Sequence, residues 1–208
     1  MLKKLLKNHA LAFASASLLL ASNAVLAGGD AEAGKSKSAT CVSCHGADGI
    51  SAIPSNPNLA GQVSGYIASQ LQAFKSGERK NAVMSGMVAG LSDQDMLDID
   101  AYYASLESAK GRISEQDKEQ ALEGERIYRG GFAEHDIPAC MGCHSPTGHG
   151  VPTNFPHIAG QHRSYLESQL LAFKKGERKG YNDMMSDIAF KLSEQQIKQL
   201  SIYMSGLQ

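Results

Sequence analysis

Apolar residues in the middle of the chain recur every three or four positions. Val63, Tyr66, Ile67, Leu71 and Phe74 form one stripe; Tyr165, Leu166, Leu170 and Phe173 form another. That spacing lines one face of a helix. Gly77 and Gly176 stand where these helices should stop. Ser92 and Ser193 precede two further stripes, with Asp95 and Gln196 three residues on, which reads as a capping box. The helices that follow are expected to bury Met96, Leu97, Tyr103 and Leu106, and Ile197, Leu200, Tyr203 and Leu207. Shorter helices are expected near Ala31–Ser38 and Lys118–Tyr128. No stretch alternates as a strand, so the expected fold class is all-α.

The first residues follow a different pattern. Lys3, Lys4 and Lys7 precede an apolar run from Ala10 to Ala21, and Val25-Leu26-Ala27 places small residues at a cleavage position. This is the build of a cleaved signal peptide over residues 1–27, and it implies export to the periplasm. The run is too short to span a bilayer as a helix, and no later segment is apolar enough to do so.

The rest is written twice. Shifted by 99 residues, Cys41-Val42-Ser43-Cys44-His45-Gly46 falls on Cys140-Met141-Gly142-Cys143-His144-Ser145, and 14 of the 22 positions in Leu59–Lys80 are identical to Ile158–Lys179. Beyond this block the second half carries two extra residues, and Leu91-Ser92 falls on Leu192-Ser193. A duplication of this length implies two similar domains. The expected boundaries are 28–106 and 114–208, joined by a linker over 107–113.

Composition narrows the function. With 42% hydrophobic residues, 21 Gly and 6 Pro among 208, the chain is neither disordered nor fibrous. A net charge of −1 argues against nucleic-acid binding. After residue 27 the balance is uneven: residues 28–109 carry five basic and nine acidic side chains, residues 110–208 twelve of each. Such a distribution can orient an encounter with a partner, or simply keep the chain soluble. Two helical domains of this size are marginal on their own apolar burial, and a large bound cofactor would supply the missing core.

All four cysteines lie in the two Cys-x-x-Cys-His motifs. This is the attachment signature of c-type haem: two thiols add across the porphyrin vinyl groups, and the next residue, His, reaches the iron. Zinc would want four Cys or His ligands, but the first half offers only Cys41, Cys44 and His45. A thioredoxin-like pair would need a βαβ context. Cys41 and Cys44 are therefore expected to hold one haem c and Cys140 and Cys143 a second, with His45 and His144 as proximal ligands. Each ligand's second ring nitrogen should donate to a carbonyl. Pro57 and Pro156, aligned in the repeat, offer one each, unless they serve only as turn residues.

After residue 27 the first half has no histidine but His45, which points to methionine as its sixth ligand. Met84 and Met185 are the only Met residues that align with each other; Met87 falls on Ile188 and Met96 on Ile197. Met84 and Met185 are thus the expected sixth ligands, and His157 or His162 is the alternative at the second haem. His135, His149, His157 and His162 are otherwise expected on the surface or in loops. Arg79 and Arg178 could pair with haem propionates or form solvated charged turns. Gln62 and Gln161 are pocket candidates. Thioether ligation favours Fe(II) and raises the potential, and a haem closed on both faces mainly moves electrons.

Two such motifs, each followed by Ala-Gly-Gln-x-x-x-Tyr, then Ala-Phe-Lys-x-Gly-x-Arg, then a Met eight residues before a Ser-capped helix, resemble the cytochrome c4 family over essentially all of residues 28–208. The resemblance implies a periplasmic di-haem protein of two class I cytochrome c folds. It also implies an electron carrier rather than an enzyme, working between respiratory partners such as a membrane oxidase. A haem subunit of a dehydrogenase and a di-haem peroxidase are the other readings. The chain departs from the pattern at Ser145, where the motif ends in Gly, and in the extra stretch Gly130–Pro138.

Overall fold

The computed structural model describes residues 28–208. The expected signal peptide, 1–27, lies outside them. Helices α1 (Ala31–Lys37), α2 (Val42–His45), α3 (Tyr66–Ser76), α4 (Ala82–Val88) and α5 (Asp93–Ala104) build the first half. Helices α6 (Lys118–Gly130), α7 (Met141–His144), α8 (Arg163–Lys174), α9 (Met184–Lys191) and α10 (Glu194–Gly206) build the second in the same order. The described residues form no strand, only two isolated bridges, Phe132 to Ile137 and Val151 to Phe155. The class is all-α.

The helix ends are where the residue types put them. Gly77 and Gly176 adopt left-handed φ of +81° and +70° just past α3 and α8. Ser92 and Ser193 close full capping boxes with Asp95 and Gln196. Lys75 and Lys174 reach from the ends of α3 and α8 to the carbonyls of Leu91 and Leu192, tying each helix to the turn before the next long one.

Each half has its own core. In the first, Ile67, Leu71 and Phe74 meet Val88, Met96, Ile99 and Tyr103. In the second, Leu166 and Leu170 meet Ile197, Leu200, Tyr203, Ile127 and Tyr128. The terminal helices cross at glycines. A Cβ on Gly34 in α1 would sit 1.9 Å from the Asp98 carbonyl oxygen of α5, and one on Gly124 in α6 would sit 2.2 Å from that of Gln199 in α10. Backbone meets backbone at these crossings, so only glycine fits.

Two charged residues that a surface reading would leave in water are buried in α5. Asp98 accepts the Asp30 amide (2.8 Å) and the Lys37 ammonium (2.6 Å), which fastens α1. Asp100 accepts the amides of Gly65 (2.7 Å), Ile67 (2.8 Å) and Ala68 (3.2 Å), and so supplies from another helix the cap that α3 lacks.

The extra stretch of the second half turns back on itself. Phe132 and Ile137 bond to each other, Ile137 enters the core and Phe132 packs against it. The two added residues later in that half fall in the turn Tyr181–Asp183, where Asn182 and Asp183 take positive φ.

Candidate haem sites

Each Cys-x-x-Cys-His motif is one short helix, α2 or α7, that brings both thiols and the histidine to the edge of its domain's core. Burial pushes the Cys41 thiol up and holds Cys140 up at about 11. His45 and His144 are buried, and their Nδ1 atoms lie 2.9 Å and 3.0 Å from the carbonyls of Pro57 and Pro156. A carbonyl only accepts, so Nδ1 carries the proton and Nε2 keeps its lone pair. Burial lowers both imidazole pKa values, against the raising effect of the proline bonds, and favours the neutral form that a metal requires. The prolines serve as acceptors for the histidines, and both lie in irregular backbone outside the neighbouring turns.

Met84 lies in the first turn of α4, whose amide is capped by Asn81 (3.0 Å), and packs half-buried against the cluster that includes Phe74 and Cys41. Met185 lies in the first turn of α9 and packs against the cluster that includes Leu170 and Cys140. The structure thus brings Met84 to the same core as Cys41 and Met185 to the same core as Cys140. Val83 and Met87, on either side of Met84, are exposed.

Of the histidines expected on the surface or in loops, His157 and His162 lie in loops but are not exposed. His157 is buried, its Nε2 3.0 Å from the Ala159 carbonyl, and His162 reaches across to the Ser51 carbonyl of the other domain (2.8 Å). Only His135 and His149 are exposed as expected. The His162 ring and the His157 backbone meet the opposite domain, a contact that sequence distance conceals. Arg79 and Arg178 are not solvated turns either. Arg79 donates to Gln70 (2.8 Å) in its own domain and to Tyr165 (3.0 Å) and Gln169 (2.8 Å) in the other. Arg178 mirrors it, donating to Gln169 (2.7 Å), Tyr66 (2.8 Å) and Gln70 (2.9 Å). Each guanidinium also lies over its domain's phenylalanine, Phe74 at 4.5 Å or Phe173 at 4.6 Å.

This cluster bears on the cofactor. Among the described residues no carboxylate lies within ion-pair distance of either guanidinium. The Nε of Arg178 is buried with no protein partner. A buried Arg178 and a half-buried Arg79, both bonded only to neutral oxygens, want an anion. The propionates of a haem in each domain are anions of the right kind, so the donor set fits two haems.

Gln62 and Gln161, read as pocket residues, also span the domains. Gln62 grips the backbone of His157, and Gln161 that of Asn58. Their retention in both copies of the repeat was the available signal; their partners, 95 and 103 residues away, had none.

Both halves, residues 31–107 and 121–208, match the family model described as Cytochrome c. The chain is 45% identical to cytochrome c4 of Pseudomonas aeruginosa over 184 residues, which cover 87% of this chain and 90% of that protein. It is 36% identical to a thiosulfate dehydrogenase electron acceptor of Thiomonas intermedia, covering 82% and 79%. Among solved structures it is similar to reduced recombinant cytochrome c4 from Pseudomonas stutzeri, with a TM-score of 0.81 and 42% identity over 86% of this chain and all of that one. It is also similar to a thiosulfate dehydrogenase from Marichromatium purpuratum, with a TM-score of 0.78 and 31% identity over 85% of this chain and 40% of that one. Two Cytochrome c domains, two Cys-x-x-Cys-His helices and relatives matched over most of their length lead to one conclusion: the chain belongs to the cytochrome c4 family, electron carriers with two covalently bound haem c groups.

Proposed function

We propose that this protein moves single electrons in the periplasm between respiratory partners, towards a terminal oxidase, through two low-spin haems ligated by His45 with Met84 and by His144 with Met185. Each bound haem supplies a one-electron Fe(III)/Fe(II) couple. The chain's own residues do the rest. Cys41, Cys44, Cys140 and Cys143 anchor the groups. The prolines fix each imidazole's tautomer and orientation, leaving Nε2 free. A neutral thioether from α4 or α9 favours the reduced state. Arg79 and Arg178 receive the propionates where the domains meet.

The observation that carries the ligand reading is the twofold match. Two buried histidines have the same proton on the same nitrogen against equivalent carbonyls, and two aligned methionines pack against the same cores as the motif cysteines. The test is spectroscopic. Met84→Ala and Met185→Ala should each abolish the methionine–Fe(III) charge-transfer band of one haem and lower that haem's potential. An unchanged band rejects the assignment.

A second reading has specific support. The likeness to a thiosulfate dehydrogenase over 40% of its chain, and to a thiosulfate dehydrogenase electron acceptor, favours a carrier that takes electrons from a dehydrogenase or is bound to one. Purification as a stoichiometric complex with a dehydrogenase supports this reading. Purification of the exported protein alone, with reduction of an oxidase in membranes, supports the free carrier.

A further inference from the structure

The two domains hold each other at a chemically telling place. Asn58 N–H donates to Gln161 Oε1 at 2.8 Å, and the Gln161 amide nitrogen donates back to the Asn58 carbonyl at 2.9 Å. His157 N–H donates to Gln62 Oε1 at 2.7 Å, and the Gln62 nitrogen donates to the His157 carbonyl at 3.1 Å. The two-point grip fixes which end of each glutamine amide faces the N–H, because a flip would set donor against donor. All four residues are buried, so water does not compete.

Asn58 N–H and the Pro57 carbonyl are two ends of one peptide group, as are His157 N–H and the Pro156 carbonyl. Those carbonyls accept the Nδ1 protons of His45 and His144. A continuous chain therefore runs from His45 Nδ1–H to Pro57 O, through the peptide to Asn58 N–H, and on to Gln161 Oε1 in the other domain. A matching chain runs from His144 to Gln62.

We propose that these glutamines are positioning residues that set the potential of the haem in the opposite domain: Gln161 for the haem on His45, and Gln62 for the haem on His144. The proposal rests on those histidines being the proximal ligands. A peptide is a resonant unit, so donation from its N–H increases the negative charge on its oxygen. The more negative oxygen accepts the Nδ1 proton more strongly, and the imidazole becomes a better donor through Nε2. A better donor stabilises Fe(III), so the glutamine lowers the potential of the haem across the boundary. Docking of the domains thereby enters the electronic properties of each iron, and each domain tunes its neighbour.

The competing explanation is that the glutamines only glue the domains together. Glue predicts that loosening the boundary moves both haems alike or neither; the peptide chain predicts a crossed pattern. The experiment uses the full di-haem protein with Gln161→Met and Gln62→Met, which keep side-chain length but end in an apolar group. Each haem is followed by spectroelectrochemical titration, with 15N-labelled histidine to report the two Nδ1 sites and assign the potentials.

In Gln161→Met, at a solution potential equal to the wild-type midpoint of the His45 haem, the ratio of reduced to oxidised His45 haem should rise roughly three- to tenfold. Tenfold is about 59 mV for one electron. The His45 Nδ1 signal should shift and the His144 haem should change far less. Gln62→Met should do the reverse. Ser164→Ala removes a cross-domain bond to the Pro54 carbonyl (2.7 Å) away from both chains and should move neither potential. Where Gln161→Met does not assemble, Gln161→Asn, one methylene short of the peptide, makes the same comparison. Equal shifts of both haems, a shift of the haem in the mutated domain, or no shift overturns the proposal. A wild-type His45 Nδ1 signal without the hyperfine shift of an iron ligand overturns the ligand assignment along with it.

Discussion

Gly34→Ala tests the packing logic of the first domain most directly. The new Cβ would stand 1.9 Å from the Asp98 carbonyl oxygen and 2.4 Å from its carbon, where ordinary contact begins at 3.4 Å. Neither partner is a flexible side-chain end. Helices α1 and α5 must therefore part by about 1.5 Å, because the interior is close-packed and cannot absorb the clash locally. Parting them lengthens the bonds from the Asp30 amide and Lys37 to Asp98, and α1 leads through one turn to Cys41. Overpacking against backbone costs about 3 kcal/mol, the upper part of the usual range. Alanine's better helix propensity returns about 1 kcal/mol. The net expectation is a loss of about 2 kcal/mol. With a urea m-value of about 2 kcal/mol/M, the unfolding midpoint of the first domain should drop by about 1 M. The assay is urea unfolding of the haem-loaded protein by circular dichroism at 222 nm. An unchanged or higher midpoint would show that the crossing relaxes freely and would refute the reasoning. Gly124→Ala should lower the second domain in the same way, since its Cβ would meet the Gln199 carbonyl oxygen at 2.2 Å.

Ser145 has φ +69° and ψ 158°, a region that suits glycine, and the equivalent Gly46 has φ +83° and ψ 153°. Ser145→Gly should raise the stability of the second domain by about 1 kcal/mol in the same urea assay, less what is lost with the bond from the His149 amide to its hydroxyl; a fall would show that this bond outweighs the strain. Asp100→Ala removes the acceptor of three amides at the start of α3 and should cost the first domain about 2–3 kcal/mol; a loss below about 0.5 kcal/mol would mean that water caps the helix equally well. The Lys37 ammonium holds the carboxyls of Asp95 and Asp98 below their usual 3.8, and those carboxylates hold Lys37 above 10.5. Their mutual stabilisation should therefore be full between those values, fade as pH falls below 3.8 and fade again above 10.5. The stability gap between wild type and Lys37→Met, measured by urea titration at several pH values, should narrow at both extremes; a gap constant down to pH 2 would contradict the ion triad.

Much of the molecule was readable in advance because the signals are local. The stripes Val63–Phe74 and Tyr165–Phe173 repeat within one element, Ser92 and Ser193 meet their capping partners three residues on, and a haem motif spans five residues. Buried Ile99, Asp98 and Asp100 were harder. They share α5 with Met96 and Tyr103, but a charged side chain reads as solvated unless its partner is known, and Asp98 is held by residues 61 and 68 positions away. The glycines Gly34 and Gly124 carry no periodic signal, and only the opposing backbone gives them meaning.

The all-α class, the duplication, the two attachment motifs and the alignment of Met84 with Met185 are written in the order of residues alone, because each is encoded by spacing along one chain or by comparison of two copies of it. How the copies face each other emerges from their packing in three dimensions. That packing placed His157 and His162 at the boundary between the domains rather than in open water, joined half-buried Arg79 and buried Arg178 in one shared cluster, and set Gln62 and Gln161 on the peptides behind the opposite histidines. Those contacts join residues about 100 positions apart. Their energy depends on the orientation of two folded bodies, and no local pattern in either half records it.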